Sequence, residues 1–297
     1  MSKLRISTVQ YLNTAPLVWG FTHGPLQGKY DLSFTVPSQC ADALRTGAVD
    51  IAIIPAIELQ RIPDLVVLPD LAIASKRRVR SLLLVAKKPI EQVQSIALDR
   101  SSRSTQALTR ILCAELWRIA PKFLESEPDL SGMLQQSDAA LLIGDPALRL
   151  SVLGVDAVVG TARGGAAEGS GNGAPIGNIQ VYDIVEEWRR LTNLPAVLAV
   201  WAGRHEVVTS EVVADFTASR DFGLSHLDEI CAHSARQLHL PEHELRLYLQ
   251  ENIDYSLDEE NCRGLQAFFE HSAALGLTGS VAPIALARIA TLISKPL

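Results

Sequence analysis

The sequence Ser-Leu-Leu-Leu-Val-Ala at residues 81–86 and the sequence Pro-Ala-Val-Leu-Ala-Val-Trp at residues 195–201 are two apolar runs that flank the middle of the chain. Each run has the length and composition of a strand that is buried on both faces. We interpret them as two crossover strands that join two lobes, with a ligand cleft between the lobes. Residues 1–85 and 200–297 then form a discontinuous first lobe, and residues 86–199 form the second.

Short strand-like runs alternate with helical segments through the first half of the chain. The predicted strands are residues 4–8, 32–36, 51–54, 65–68, 81–85, 95–98 and 139–143. This alternation, with unbroken apolar strands, predicts an α/β fold with parallel, doubly wound sheets. After Trp201 the pattern is almost entirely helical. The predicted helices of this C-terminal region are residues 207–222, 225–239, 242–251 and 259–275.

Composition and charge bound the class of protein and its partners. Hydrophobic residues make up 47 % of the 297 residues and charged residues 20 %, which excludes a disordered chain. The net charge of −6 provides no basic field for a polyanion, so we expect no nucleic-acid partner. The chain opens without an apolar secretory signal, and its longest apolar runs are far shorter than the ~20 residues of a membrane span. We therefore expect a cytoplasmic protein with no membrane partner, present as a monomer or homodimer.

The segment Tyr11-Leu12-Asn13-Thr14 follows the first predicted strand. Thr14 is a suitable N-cap, and the proline two residues later suits the first turn of a helix. In an open α/β sheet, the loop after the carboxyl end of a strand faces the ligand crevice, and a helix N-terminus there offers free N–H groups to an anion. Asn13 adds an amide donor and acceptor, although it also fits a simple turn. Tyr11, Asn13 and Thr14 are therefore candidate site residues.

The segment Asp99-Arg100-Ser101-Ser102-Arg103-Ser104-Thr105 lies between a predicted strand and a long predicted helix, residues 102–120. Four hydroxyls and two guanidinium groups crowd this helix start, whereas capping needs only one hydroxyl. Such a cluster favours the binding of a carboxylate or phosphate. The candidate ligand-binding residues of this segment are Ser101, Ser102, Arg103, Ser104 and Thr105.

Two further segments supply candidates. Arg80 and Ser81 enter the first crossover at the mouth of the predicted cleft, whereas the preceding arginines fit a solvated turn. Gly144 and Asp145 end a predicted strand and start a helix. Asp145 fits an N-cap and a ligand contact equally well.

Several familiar chemistries are missing from the sequence. It has no Walker loop, no GxSxG motif and no GxGxxG motif after a strand. Residues 160–177 are rich in glycine, and we expect a surface loop there, with a lid as the less favoured alternative. His239 and His243 have the spacing of helical metal ligands, but Pro241 interrupts the helix between them. We therefore expect neither a metal nor a cofactor.

A set of motifs in fixed order resembles one family. The motifs are Tyr11-Leu12-Asn13-Thr14, residues 50–55 (Asp-Ile-Ala-Ile-Ile-Pro), residues 79–85 (Val-Arg-Ser-Leu-Leu-Leu-Val), residues 97–104, residues 142–145 (Leu-Ile-Gly-Asp) and Trp188 with Leu194-Pro195. Over residues 4–275 they resemble the chorismate dehydratases of the futalosine route to menaquinone. The sister family, the dihydroxynaphthoate synthases of the same pathway, is an alternative, but it typically opens with a Ser-Pro-Cys-Pro-Asn segment.

The resemblance implies a two-lobed fold like that of type II periplasmic binding proteins. It also implies that chorismate binds between the lobes and is converted to 3-[(1-carboxyvinyl)oxy]benzoate and water. For this chain it implies a catalytic role for Asn13 and substrate contacts for Ser102, Ser104 and Thr105. Pro55, in the second motif, joins the substrate-binding candidates.

The chain departs from the family pattern at Ala56 and Val197, where a serine and an aromatic residue are common. These departures put one hydroxyl contact and one wall of the cleft in doubt.

The predicted cleft is rich in hydrogen-bond donors and poor in bases. We therefore expect substrate assistance, in which the side-chain carboxylate of chorismate takes the ring proton and Asn13 hydrogen-bonds the departing hydroxyl. Asp99 or Asp145 would need a raised pKa to serve as the base. A protein that binds a carboxylate ligand without catalysis is a further alternative.

Overall fold

The computed structural model describes residues 3–155 and 179–287, which form two five-stranded sheets packed against helices. The strands are β1 (Arg5–Val9), β2 (Asp31–Thr35), β3 (Ile51–Pro55), β4 (Leu65–Ser75), β5 (Leu82–Ala86), β6 (Ser95–Asp99), β7 (Lys122–Ser126), β8 (Ala139–Ile143), β9 (Gln180–Asp183) and β10 (Ala196–Arg204). All seven predicted strands are found. β7 and β9 were not predicted, because neither carries an unbroken apolar run.

The helices of the described residues include the predicted C-terminal group. They are α1 (Ala15–Thr22), α2 (Pro37–Arg45), α3 (Arg103–Ile111), α4 (Leu130–Gln136), α5 (Gly144–Leu153), α6 (Ile184–Thr192), α7 (Ser210–Ser225), α8 (Leu227–Leu238), α9 (Glu242–Leu247) and α10 (Glu259–Ala274). Short 3₁₀ segments lie at Leu12–Thr14, Ala56–Gln60 and Ile90–Gln92, and π-helical segments at Leu112–Leu116 and Tyr248–Asn252. None of these helices is long and apolar enough to cross a membrane.

Each sheet is mostly parallel and contains one antiparallel strand. The first sheet has the order β2-β1-β3-β10-β4, and the second has the order β7-β6-β8-β5-β9. β10 runs antiparallel to both of its neighbours, and so does β5. The pairs β1–β2, β1–β3, β6–β7 and β6–β8 are parallel. The expectation of wholly parallel sheets is therefore wrong at one strand of each sheet.

The chain passes from one sheet to the other twice. β4 ends in the first sheet and β5 begins in the second, while α6 separates β9 in the second sheet from β10 in the first. β5 and β10 are the two apolar runs interpreted as crossover strands, and each is the antiparallel strand of the sheet it enters. We propose that each sheet is the core of one lobe. On this basis the chain passes from one lobe to the other at residues 76–81 and 184–195. Both segments precede the boundaries expected from the sequence, which are residues 85–86 and 199–200.

Burial on both faces explains why the central strands are unbroken apolar runs. Every residue of β3, β5 and β8 is buried. In β5, Leu82 and Leu84 face the large core that extends through both sheets, whereas Leu83 and Val85 face a smaller cluster under α4 and α5. Successive side chains of a strand point to opposite faces, so a strand with helices on both sides needs apolar residues at every position.

The C-terminal helices pack closely against α1. A Cβ on Gly223 would lie 2.0 Å from the carbonyl oxygen of Pro16, so only glycine permits this approach of α7. One turn earlier, the Ser219 hydroxyl donates to the Leu17 carbonyl over 2.9 Å. This packing joins the helical C-terminal region to the segment that follows β1.

The helix starts agree only partly with the sequence analysis. Ser102, where the predicted helix begins, is the N-cap of α3, and its side chain accepts from the Thr105 N–H. α2 begins at Pro37, a residue that suits the first turn of a helix, and its N-cap position is Val36. The helix predicted over residues 102–120 is shorter in the structure. It consists of α3 and the π-helical segment Leu112–Leu116, which follows directly. Residues 160–177 lie outside the described residues.

Candidate functional site

The loop after β1 is fixed against the start of α5. The backbone N–H of Leu12 donates to Asp145 Oδ1 over 2.9 Å. The Tyr11 ring lies against Gly144, where an added Cβ would come within 2.6 Å of the ring carbons. Gly144 has a φ of +65°, and its N–H donates to the Ser81 carbonyl over 2.8 Å. The structure therefore brings together four of the predicted site residues, Tyr11, Ser81, Gly144 and Asp145.

Asp145 is not the N-cap that its position suggested. The N-cap of α5 is Ile143, and Asp145 lies in the first helical turn with its carboxylate directed to the loop after β1. Burial raises the pKa of Asp145 to about 6, and the hydrogen bond from Leu12 only partly opposes that rise. The carboxyl group therefore titrates close to neutral pH.

Asp183 holds the segment that leads into Ser81. Its Oδ2 accepts the N–H groups of Val79 and Arg80 over 3.0 and 2.7 Å. Its Oδ1 accepts the N–H groups of Val185 and Glu186 at the start of α6. Burial raises the pKa of the Asp183 carboxyl, while these four donors lower it. One carboxylate thus connects both passages between the sheets.

The structure gives ion-pair partners to both arginines that were predicted to bind the ligand. Arg80 Nη2 lies 2.6 Å from Glu244 Oε2 on α9. Arg103 binds Asp42 and the fully buried Glu58, with distances of 2.8 and 3.3 Å. Since both guanidinium groups neutralise carboxylates of the protein, we propose that the anionic ligand is recognised mainly by hydroxyl and backbone N–H donors.

The start of α3 contains a buried network of hydroxyls. Ser101 donates to Asp99 Oδ1 from its backbone N–H and from its hydroxyl, over 2.9 and 2.6 Å. Asp99 Oδ2 is buried without a hydrogen-bond partner in the described residues, and burial raises the pKa of this carboxyl. The hydroxyls of Ser102 and Thr105 lie 2.7 Å apart. Because one of these two hydroxyls donates to the other, one of their protons is left for a ligand.

Ser104 connects the two sheets. Its hydroxyl accepts the N–H of Ile57 over 3.2 Å, just after Pro55 ends β3. Ser104 is 2 % exposed, and Pro55 is also buried. These two predicted site residues therefore lie together where α3 meets the first sheet.

Tyr11 lies between the two groups of residues described above. Burial raises the pKa of its phenol, the nearby Ser101 hydroxyl lowers it, and the charges of Asp99 and Asp145 raise it further. Tyr11 also lines a hollow of about 510 Å³ together with Ser101 and Arg103. The start of α3, the loop after β1 and the start of α5 therefore meet around one tyrosine.

Asn13 has a neighbour that the sequence analysis missed, Tyr248. The Tyr248 hydroxyl donates to Ser81 Oγ over 2.8 Å, and the Asn13 side chain is close enough to lower the pKa of the phenol. Thr14 occupies the N-cap position of α1, but its hydroxyl donates to Asn13 Oδ1, over 3.4 Å, instead of capping the helix. The only signal of Tyr248 in the sequence is a phenol on the apolar face of a predicted helix, where its hydroxyl needs a partner.

The site contains the phenols of Tyr11 and Tyr248, the Asn13 amide, several serine and threonine hydroxyls, and the carboxyl groups of Asp99 and Asp145, both with a raised pKa. This set can bind an anion, orient it and donate hydrogen bonds to a leaving oxygen. No group of three or more metal-ligating side chains occurs in residues 3–155 and 179–287.

Comparisons with known proteins agree with this architecture. The model of a menaquinone biosynthesis family matches residues 4–274. The chorismate dehydratase of Thermus thermophilus is 30 % identical over 270 residues, which cover 90 % of this chain and 93 % of that protein. Protein AF1704 from Archaeoglobus fulgidus is a solved structure with a TM-score of 0.71 and 17 % identity, covering 93 % of this chain and 98 % of its own. The aliphatic sulphonate binding protein SsuA of Escherichia coli has a TM-score of 0.61 and 17 % identity, covering 99 % and 94 %. The predicted fold of the periplasmic-binding-protein type is confirmed.

Proposed function

Because the chain belongs to the menaquinone biosynthesis family, we propose that it is a chorismate dehydratase, which converts chorismate to 3-[(1-carboxyvinyl)oxy]benzoate and water. The observation that carries the proposal is the whole-length similarity to a chorismate dehydratase. The donors gathered around Tyr11 and Asn13 suit a substrate with two carboxylates and a leaving hydroxyl.

The reaction removes the proton from ring C3 and the hydroxyl from ring C4. The electrons of the C3–H bond become part of the aromatic ring, and the C4–O bond breaks to release hydroxide, which takes the proton as water. Aromatisation drives the elimination without a change of redox state. The protein must therefore orient chorismate and stabilise the departing oxygen, and orientation alone lowers such barriers by up to ~7–11 kcal/mol.

We assign the substrate carboxylates to the starts of α3 and α5. Ser102 and Thr105 offer a hydroxyl proton there, and the first turns of both helices carry backbone N–H groups without helical acceptors. Asn13 is assigned to the leaving hydroxyl, since its amide nitrogen can donate. Tyr11, Gly144 and Ser81 complete the binding surface by supporting these groups.

The proton acceptor is proposed to be the side-chain carboxylate of chorismate itself. Asp99 Oδ1 is engaged by two donors from Ser101, and Asp145 Oδ1 is engaged by Leu12. Asp145 is the competing base, because a pKa of about 6 matches the needs of general base catalysis near neutral pH.

Asp145→Asn is expected to keep turnover within about threefold of the unchanged protein at pH 8, whereas loss of a general base costs about 100-fold or more. Asparagine keeps the acceptor for Leu12 but removes the charge. Initial rates of product formation measure the effect. A loss of about 100-fold would identify Asp145 as the base and contradict substrate assistance.

The same variant is expected to be more stable at pH 8, by about 1–2 kcal/mol. The pKa of Asp145 is raised on folding, so its contribution to stability is complete below the unfolded value near 3.8 and is lost as pH rises through about 6. The neutral asparagine does not suffer this loss. Urea unfolding at pH 4 and pH 8 checks the sign, with a much smaller difference expected at pH 4.

Incubation of the purified protein with chorismate tests the function. We expect an aromatic product with the mass of chorismate minus one water. Binding of chorismate, seen by tryptophan fluorescence, without any product would instead support a protein that binds a carboxylate ligand without catalysis. Absence of both would favour another reaction of the same pathway, such as that of a dihydroxynaphthoate synthase.

A further inference from the structure

Tyr248 occupies an unusual position in the C-terminal helices. It begins the π-helical segment Tyr248–Asn252, which directly continues α9. The phenol is 1 % exposed, yet it points to the start of β5 in the other sheet, where its hydroxyl donates to Ser81 Oγ over 2.8 Å. Single π-helical turns inside helices occur frequently at functional sites.

Two contacts tie this helix to the start of β5. Glu244, one turn before Tyr248, binds the Arg80 guanidinium over 2.6 Å. Arg80 has a φ of +63°, a conformation that costs a residue with a side chain about 1–3 kcal/mol unless its surroundings fix it. The ion pair of Arg80 and the hydrogen bond of Ser81 involve neighbouring residues, so both link α9 and the π-helical segment to the start of β5.

Tyr248 and Ser81 share one hydrogen bond between their hydroxyls. Because one of the two hydroxyls donates to the other, one of their two protons is left for a ligand. Asn13 lowers the pKa of the Tyr248 phenol, as an N–H donor does, while its Oδ1 accepts from Thr14. Asn13 therefore presents its amide nitrogen to the Tyr248 phenol.

We propose that Tyr248 is a positioning residue, which fixes the Ser81 hydroxyl and the Asn13 amide as two donors toward the departing oxygen of the substrate. This inference rests on the proposed dehydratase function. Burial raises the pKa of the phenol far above its usual value, so Tyr248 keeps its proton and its donor role at every pH at which the protein is assayed. Fixed donors stabilise a developing negative charge better than donors that must reorient.

Tyr248→Phe tests the proposal, because it removes only the hydroxyl. We expect kcat for chorismate to fall about 10- to 100-fold with KM changed less than about threefold. Tyr255→Phe is the matched control. Tyr255 is equally buried, at 6 % exposure, and its hydroxyl has no hydrogen-bond partner in the described residues, so this variant should match the unchanged protein in kcat.

A double-mutant cycle with Ser81→Ala separates positioning from general destabilisation. If Tyr248 acts through Ser81, the two decreases in kcat are not additive, and the double variant has about the same kcat as the less active single variant. Three results would each overturn the positioning role. They are decreases in kcat that multiply in the double variant, a rise in KM at constant kcat for Tyr248→Phe, and a Tyr248→Phe variant as active as Tyr255→Phe. Absence of turnover by the unchanged protein would overturn the dehydratase function and with it this inference, so the two failures are distinguishable.

Discussion

Replacement of Asn13 by leucine is expected to lower kcat for chorismate by about 100-fold or more, the usual cost of removing one donor to a developing oxyanion. Leucine has the same number of side-chain heavy atoms with the same branching, so the 3₁₀ segment Leu12–Thr14 and its bond to Asp145 should persist. Product formation measured by chromatography gives the rate. Thermal unfolding of the same sample shows whether the fold is kept.

Asn13→Asp separates the donor from the shape of the side chain. Aspartate has the same outline but accepts where the amide nitrogen donates, so it should lose as much activity as leucine. Chorismate binding, followed by tryptophan fluorescence, should weaken less than turnover for Asn13→Leu, because the carboxylates are held by other groups. Turnover within tenfold of the unchanged protein for both variants would remove Asn13 from the reaction.

Gly144→Ala is the second substitution with a large expected effect, a fall in kcat/KM of about 100-fold and a loss of about 1–3 kcal/mol in the free energy of unfolding. Two causes combine. The φ of +65° disfavours a side chain, and the new Cβ would lie 2.6 Å from the Tyr11 ring. The ring must move, and with it the loop that carries Asn13. Steady-state kinetics and urea unfolding measure the two effects.

Gly47→Ala is the control for the backbone effect alone. Gly47 has a φ of +72°, but an added Cβ there would have no atom within 4 Å. We expect a loss of about 1 kcal/mol in stability with unchanged kinetics. If Gly144→Ala behaves like Gly47→Ala, the contact between Tyr11 and α5 does not organise the site.

Much of the candidate site could be located from the sequence, but the partners of its residues could not. The helix start predicted at Ser102 is found there, because the partner of this cap, Thr105, is only three residues away. Arg103, in the same segment, was predicted to bind an anion from outside. In the structure it binds Asp42 and Glu58, and these carboxylates come from residues about 45 to 61 positions earlier in the chain. No local pattern reports such a pairing.

The raised pKa of Asp145 also could not be predicted from the sequence. Its position at a helix start indicated a cap, which is a solvated role with an ordinary pKa. In the structure it is covered by the loop after β1 and accepts from Leu12, 133 residues away, and burial raises its pKa. The pKa of a side chain depends on desolvation, and only the assembled fold determines how much water remains around it.

The sequence by itself determined the α/β class, the seven predicted strands, the helical C-terminal region and the start of α3 at Ser102. These features depend on hydrophobic periodicity and on contacts between near neighbours. The tertiary structure alone decided that β5 and β10 run antiparallel in their sheets, that Arg80 and Arg103 bind carboxylates of the protein, and that Tyr248 reaches Ser81. Each of these joins residues distant in the chain, where the partner is selected by burial and by hydrogen bonds that can form only after the sheets and helices have packed.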